Sequence, residues 1–380
     1  MLPAEGIPIE LVAEGQRVMS ICNACRYCEG YCAVFPALER RLEFNEGDLS
    51  YLANLCHQCD ACYYACQYAP PHEFQLDFPK TLAAIRRKSY RKYAWPRWLA
   101  AAFGHNALAA GLASAAGLVL FLLLMLPAGG AADIFARHSD REGSFYALLP
   151  HGVMSGTFGA VALVVVLAML AGFRRFWRDG NKDLDLRFFA NGNALGRAVW
   201  DALRLKYLNG GGDGCTYPTS LPSLTRRRFH HLTFYGFMLC FAATCVATLY
   251  HYGFGWRAPY PFWTVPVVLG TTGGVGLIAG PLGLLWLRAK SDPALVDDAQ
   301  TGMDTAFIVL LLASGASGLL LLALRETTAM GVLLAAHLAV VMGLFLTMPY
   351  GKFVHAIYRF AALVRYEAER RLPPPPFTSE

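Results

Sequence analysis

Eight of the eleven cysteines fall within residues 22–66, in two copies of one pattern: Cys22-x2-Cys25-x2-Cys28-x3-Cys32 and Cys56-x2-Cys59-x2-Cys62-x3-Cys66. Thiols at this density and regularity bind metal rather than build a disulfide framework. The x2 steps wrap three sulfurs around one centre on a tight turn, and the x3 step throws the fourth away from it. A cubane of four irons needs four converging thiolates, so the pattern predicts two [4Fe-4S] clusters. Zinc also uses paired Cys-x2-Cys, but its sites rarely need four cysteines in so short a run, let alone in two such runs.

In bacterial two-cluster ferredoxins the fourth cysteine of each run ligates the other cluster. Carried over to this chain, Cys22, Cys25, Cys28 and Cys66 hold one cluster and Cys56, Cys59, Cys62 and Cys32 the other, close enough to exchange electrons. The ferredoxin run has proline right after its fourth cysteine. Here Ala33 and Gln67 follow, with Pro36 and Pro70 three residues further on. The loops are therefore expected to differ while the ligands do not. His57 and His72, nearby, are read as surface polar residues. Cys240 and Cys245 lie in an apolar run and read as small packing residues. Cys215 follows the glycine-rich Gly210-Gly211-Gly212-Asp213-Gly214 and is read as a bystander thiol, not a ligand.

A second set of candidate ligands is histidine. Ligating side chains inside apolar spans are rare and usually functional. His337 stands in such a run, and His355 follows five helical turns later, so one continuous helix would carry both on one face, about 27 Å apart. That separation approaches the hydrocarbon thickness and suits axial ligands for haem near opposite membrane faces, with Pro349 a possible kink between them. An inner haem would pair His355 with His230 or His231, and an outer one His337 with His251 or His151. His105 and His151, at span ends, also fit simple placement at the interface. One haem or two is left open.

The elements that must position these residues follow from composition. Of 380 residues, 55% are hydrophobic and 16% charged, with mean hydropathy +0.36. These values exclude an ordinary soluble protein. Six apolar segments, near 105–126, 151–171, 231–250, 263–287, 304–324 and 329–349, are each long enough to span a bilayer. In the fourth, Gly270-x3-Gly274 and Gly276-x3-Gly280 suit close helix contact. With the cysteine-rich head inside, the inner segments (1–104, 172–230, 288–303 and 350–380) carry 11, 11, 2 and 5 Lys and Arg, against 2, 1 and 1 in the outer loops. The positive-inside rule therefore puts the head in the cytoplasm. The net charge of +6 reflects this topology, not nucleic-acid binding.

Three parts result: a head over 1–104 whose last stretch (Arg86, Arg87, Lys88, Arg91, Lys92, Arg97, Trp95, Trp98) reads as an amphipathic approach to the membrane, a bundle over 105–360 with an inner loop at 173–230, and a tail over 361–380. An amphipathic helix is expected at 185–207 and a polyproline-like or disordered end at 372–380. The fold class is mainly α.

The order of parts resembles the tricarballylate-utilisation protein B family, also labelled citrate-utilisation protein B. The resemblance rests on the two cysteine runs followed by six spans, on Arg226-Arg227-Arg228-Phe229-His230-His231, and on Met348-Pro349-Tyr350-Gly351-Lys352-Phe353-Val354-His355. The last span, with its Pro-Tyr-Gly-Lys and two histidines, is also similar to the haem-binding subunit of respiratory nitrate reductase, which implies haem b at His337 and His355. The family resemblance implies an electron-transfer component of the bacterial inner membrane that reoxidises an FAD-dependent tricarballylate dehydrogenase. Electrons are then expected to pass through the clusters and haem to quinone, with Lys352 and His355 near the quinone. The rivals are a heterodisulfide-reductase-type subunit, which lacks a further cysteine-rich motif here, and a membrane redox sensor.

Overall fold

The computed structural model describes residues 6–138, 143–180 and 192–373, and among these the regular structure is helical, with one isolated β-bridge between Cys215 and Ser223. The head is built from α1 (Ile9–Cys25), α2 (Val34–Leu38), α3 (Glu46–Leu55), α4 (Ala61–Tyr64) and α5 (Phe78–Tyr93). Then come α6 (Asn106–Ile134), α7 (Ser144–Leu148), α8 (His151–Gly180), α9 (Gly192–Leu203), α10 (Thr225–Phe254), α11 (Val265–Ala289), α12 (Asp298–Leu324), α13 (Met330–Thr347) and α14 (Val354–Glu369). The expected helix at 185–207 is found from Gly192 onward. Its first residues, and those from 374 onward, lie outside the described residues.

Side-chain caps start the two helices that carry the head's core. Asn45 Oδ1 accepts the Asp48 N–H at 3.0 Å ahead of α3, and Asp77 Oδ1 accepts the Lys80 N–H at 3.0 Å ahead of α5. Between them these helices bury Leu49, Tyr51, Leu52, Leu82, Ile85 and Tyr90. The expectation of a membrane-approach segment at 86–98 needs correction here. Arg86 is 2% exposed inside the head, because its guanidinium finds backbone acceptors there, and within 86–98 only Trp95, Arg97 and Trp98 stand exposed.

The expected tail is also partly core. Residues 361–369 form the second half of α14, whose Ala361, Leu363, Val364 and Tyr366 pack into the head. Arg365 bonds Asp48 (3.2 Å) and Glu369 (2.7 Å), and Arg41 bonds the same two carboxylates (2.9 and 2.5 Å). Tyr51 Oη donates to Glu369 at 3.2 Å. This buried network ties the end of the chain to α3.

Six helices are long and apolar enough to cross a membrane: Asn106–Pro127, His151–Gly180, Thr225–Phe254, Val265–Ala289, Ala299–Leu324 and Met330–Tyr350. Leu163, Val164, Leu167 and Leu170 of α8 and Phe241 and Leu249 of α10 point outward, the surface of a membrane protein rather than of a soluble one. Small residues set the closest helix pair. A Cβ on Gly276 would stand 2.9 Å from the Leu232 carbonyl oxygen and one on Gly280 2.6 Å from the Thr233 nitrogen, so α10 and α11 touch backbone to backbone. The expected continuous helix through His337 and His355 is overturned. α13 ends at Thr347, Met348–Tyr350 form a 3-10 turn, and Gly351 is extended (φ −138°, ψ −167°) before α14 begins. Pro349, lacking an amide donor, does not merely kink the helix but takes part in ending it.

Candidate metal centres

Both cysteine runs begin where a helix stops. α1 delivers Cys22 and Cys25 on its last turn, then Arg26 turns left-handed (φ 54°) with its N–H on the Cys22 carbonyl, which redirects the chain through Cys28. α3 ends at Leu55 with Cys56 as its cap, and Gln58 and Asp60 take the left-handed region (φ 51° and 59°) before α4. Cys22, Cys25, Cys28 and Cys66 line one cavity of about 240 Å³. Cys32, Cys56 and Cys59 line a second, tighter one of about 20 Å³. Cys62 borders both. Each run's fourth cysteine thus sits among the other run's sulfurs.

The donor set fits iron–sulfur clusters in two respects. Backbone amides already point at sulfur: Gln58 N–H reaches Cys56 Sγ at 3.3 Å, Ala61 N–H bonds Cys59, and Val34 and Phe35 N–H bond Cys32. Burial also pushes these thiols up, Cys28 to about 12 with further help from Cys66, and Cys22, Cys32 and Cys62 likewise upward. Sulfurs so placed ionise together only beside a strong cation such as iron. Among the described residues, no three His, Cys, Asp or Glu side chains converge on a single-ion site; the sulfurs ring cavities instead.

Three arginines from three different elements grip the loop between the second run's cysteines. Arg86 of α5 donates to the carbonyls of Ala53 (3.2 Å) and Cys56 (2.9 Å) and to Gln58 Oε1 (2.6 Å). Arg359 of α14 donates to the same Cys56 carbonyl at 2.9 Å, and Arg226 of α10 to the Gln58 carbonyl. His57, expected at the surface, is instead buried beneath this clamp, 8% exposed, with Nδ1 2.9 Å from the Leu55 carbonyl. Burial, aided by Arg359, keeps its imidazole neutral. Burial lifts the adjacent Asp60 carboxyl to about 7, against the pull of Arg226. His72 is half-buried, its Nδ1 accepting the Phe74 N–H at 3.1 Å.

His57, Gln58 and Asp60 also form a wall of a third and larger cavity of about 360 Å³, which reaches from the head into the bundle. His230, on the first turns of α10, and His355, on the first turn of α14, face each other there with ring centres 6.3 Å apart. Two imidazoles on opposite sides of one metal, each bonded at about 2 Å, have centres roughly this far apart. His355 Nδ1 lies 2.5 Å from the Lys352 carbonyl, which leaves Nε2 free, the arrangement metal-binding histidines favour. His230 keeps a buried ring nitrogen, Nδ1, with no partner among the described residues. Phe234, Phe237, Met238 and Leu311 supply an apolar wall for a macrocycle. The pair fits haem.

Comparison with known proteins agrees with an iron–sulfur type of head at the start of the chain. The family model described as "Citrate utilization protein B" matches residues 102–376, and that of the "Citrate utilization protein B Fer4-like domain" matches 15–92. The chain belongs to the citrate utilization protein B family. It is 50% identical over 364 residues to a citrate utilization protein B of Escherichia coli, covering 94% of this chain and 93% of that one. No solved structure matches it, so the likeness to the nitrate reductase haem subunit rests on sequence alone.

The other histidines of this citrate utilization protein B family member are placed differently from the expected pairs. His231 turns away from His355 and bonds the backbone of Leu203 and Arg204. His337 Nδ1 lies 3.0 Å from Ser317 Oγ, and its ring sits against Gly318 of α12. His151 and His251 do not meet it; they stack on each other, ring centres 3.6 Å apart, beside Tyr146. His105 is exposed at the start of α6. Lys352 pairs with Asp304 at 2.7 Å, and both line the cavity that holds His230 and His355. Sequence reasoning missed His57, Arg86 and Arg359; the one available signal was that His57 directly follows a candidate ligand.

Proposed function

We propose that this chain is a membrane electron-transfer component that takes electrons from an FAD-dependent dehydrogenase at its head and passes them to quinone in the bilayer. The carrying observation is that the three cavities share walls in a line. Cys62 borders the first and second, and His57, Gln58 and Asp60 border the second and third. When bound, two [4Fe-4S] clusters and haem b supply one-electron carriers between a two-electron flavin and a two-electron quinone.

The protein's share is to hold, orient and shield. Cys22, Cys25, Cys28 and Cys66 face the accessible end, where Tyr27 is 69% exposed and a flavoprotein can approach. Cys32, Cys56, Cys59 and Cys62 hold the interior group, and His230 and His355 hold the haem. Arg86, Arg226 and Arg359 fix the distance between the last two by tying the loop after Cys56 to α5, α10 and α14. His337, untouched by another histidine, is the candidate for a second haem site or for structure around Ser317. Lys352 and Asp304, paired on the wall of the same cavity, are the candidates for a proton donor to quinone. The basic inner segments support a head on the cytoplasmic side of a bacterial inner membrane, and membership of a citrate utilization family supports a partner dehydrogenase that serves such utilization.

Reconstitution tests this directly. Purified chain in quinone-loaded vesicles is mixed with a reduced FAD-dependent tricarballylate dehydrogenase, and quinone reduction is followed optically. Reduction that needs this chain, and that stops in His355→Ala, is the expected result. Equal rates without the chain would reject the proposal.

A further inference from the structure

Cys215 is fully buried under the loop that covers the second group of sulfurs. The glycines before it make that position possible. Gly214 has φ +114°, and a Cβ there would stand 2.4 Å from the Ser223 carbonyl carbon. Cys215 and Ser223 can therefore exchange both backbone hydrogen bonds, at 3.0 and 2.8 Å. Gly211 rests against Gly30 and Tyr31 of the first run. Cys215 S–H donates to the Leu208 carbonyl at 3.4 Å, and its sulfur packs with the Cys59 side chain in one buried cluster, close enough for the two to interact. Thr216 Oγ1 adds a bond to the Cys59 carbonyl at 3.3 Å. A thiol expected to be a bystander is instead fastened to a candidate ligand from both sides.

We propose that Cys215 is a positioning residue for the second cluster, its S–H donating to the Cys59 sulfur and raising that cluster's reduction potential. The proposal rests on the reading that Cys59 ligates iron. A sulfur bound to iron carries no proton, so any donor between the two sulfurs is then Cys215, whose single rotatable S–H would turn from the Leu208 carbonyl to the Cys59 sulfur. Four thiolates complete the ligand set without it, and Cys215 remains a thiol. A hydrogen bond donated to a ligand sulfur stabilises the added negative charge of the reduced cluster, which raises its potential. One electron arrives from the neighbouring cluster and leaves toward the haem site; no bond is made or broken. The tuned cluster is the one whose loop borders the His230 and His355 cavity, so a raised potential draws electrons inward from the accessible end.

Full-length Cys215→Ala and Cys215→Ser proteins, prepared anaerobically in detergent, would be analysed for iron and sulfide and titrated by electron paramagnetic resonance. In Cys215→Ala, iron content is expected to be unchanged while one cluster becomes harder to reduce by up to about tenfold, which is about 59 mV for one electron. The other cluster should not move, and Cys215→Ser, which keeps an O–H donor, should recover most of the shift. Full iron with both potentials unmoved in Cys215→Ala would overturn the proposal. So would loss of about half the iron, which would make Cys215 a ligand. Wild-type protein without clusters would instead reject the iron–sulfur reading itself, a distinguishable failure.

Discussion

Replacing Gly280 by alanine is expected to strip the protein of haem while its head stays loaded with iron. The new Cβ would stand 2.4 Å from Thr233 Oγ1, 2.6 Å from Thr233 N and 2.9 Å from the Phe229 carbonyl oxygen. The hydroxyl can rotate away; the two backbone atoms cannot. Ordinary contact begins near 3.4 Å, so α10 and α11 must separate by about 0.8 Å at this level. Phe229 is the residue before His230, so that imidazole moves with the backbone, whereas metal–nitrogen bonds tolerate about 0.2 Å. Overpacking of this kind costs about 1–3 kcal/mol, which a folded bundle survives. Gly270→Ala on the same helix is the control: its Cβ meets only the Ala243 Cβ at 3.7 Å. The assay is the haem-to-protein ratio with reduced-minus-oxidised spectra, alongside iron content. Wild-type haem and band positions in Gly280→Ala would refute the assignment of His230.

Three further outcomes are expected. His230→Ala and His355→Ala should each abolish the b-type bands, while His231→Ala, whose ring bonds the loop after α9, should keep them in the same difference spectra. Cys32→Ala and Cys59→Ala should leave one and the same residual paramagnetic signal, and Cys66→Ala and Cys25→Ala the other; grouping by run rather than across runs would break the crosswise placement. Glu369→Ala leaves Arg41 and Arg365 sharing the one carboxylate of Asp48, and the loss of a partner from a buried ion network costs about 3–5 kcal/mol. It should appear as proteolytic release of α14 well below the wild-type unfolding temperature.

Much of the architecture was legible because it is written in short-range patterns. The x2 and x3 cysteine spacings fix which sulfurs can converge, and runs of about twenty apolar residues mark spanning helices whatever their neighbours. The glycine spacing of α11 likewise announced a close contact, which α10 supplies at Gly236 and Thr233. Pairings between distant residues were less visible. Sequence left His230 and His231 equal, since adjacent residues differ only in the face they present, and α10's packing on α11 decides between them. The expected common face of His337 and His355 failed because helix continuity was assumed across Pro349 and Gly351. Arg86 and His57 read as surface residues because their partners are backbone carbonyls, which no side-chain pattern reveals.

The central claim is that eight thiols of the head bind two four-iron clusters. Anaerobic purification of the full chain, with iron, acid-labile sulfide and zinc measured per polypeptide, tests it most directly. About eight irons and about eight sulfides, with a paramagnetic signal on reduction, are predicted. Zinc in their place, or sulfide-free protein that gives no such signal, would contradict it.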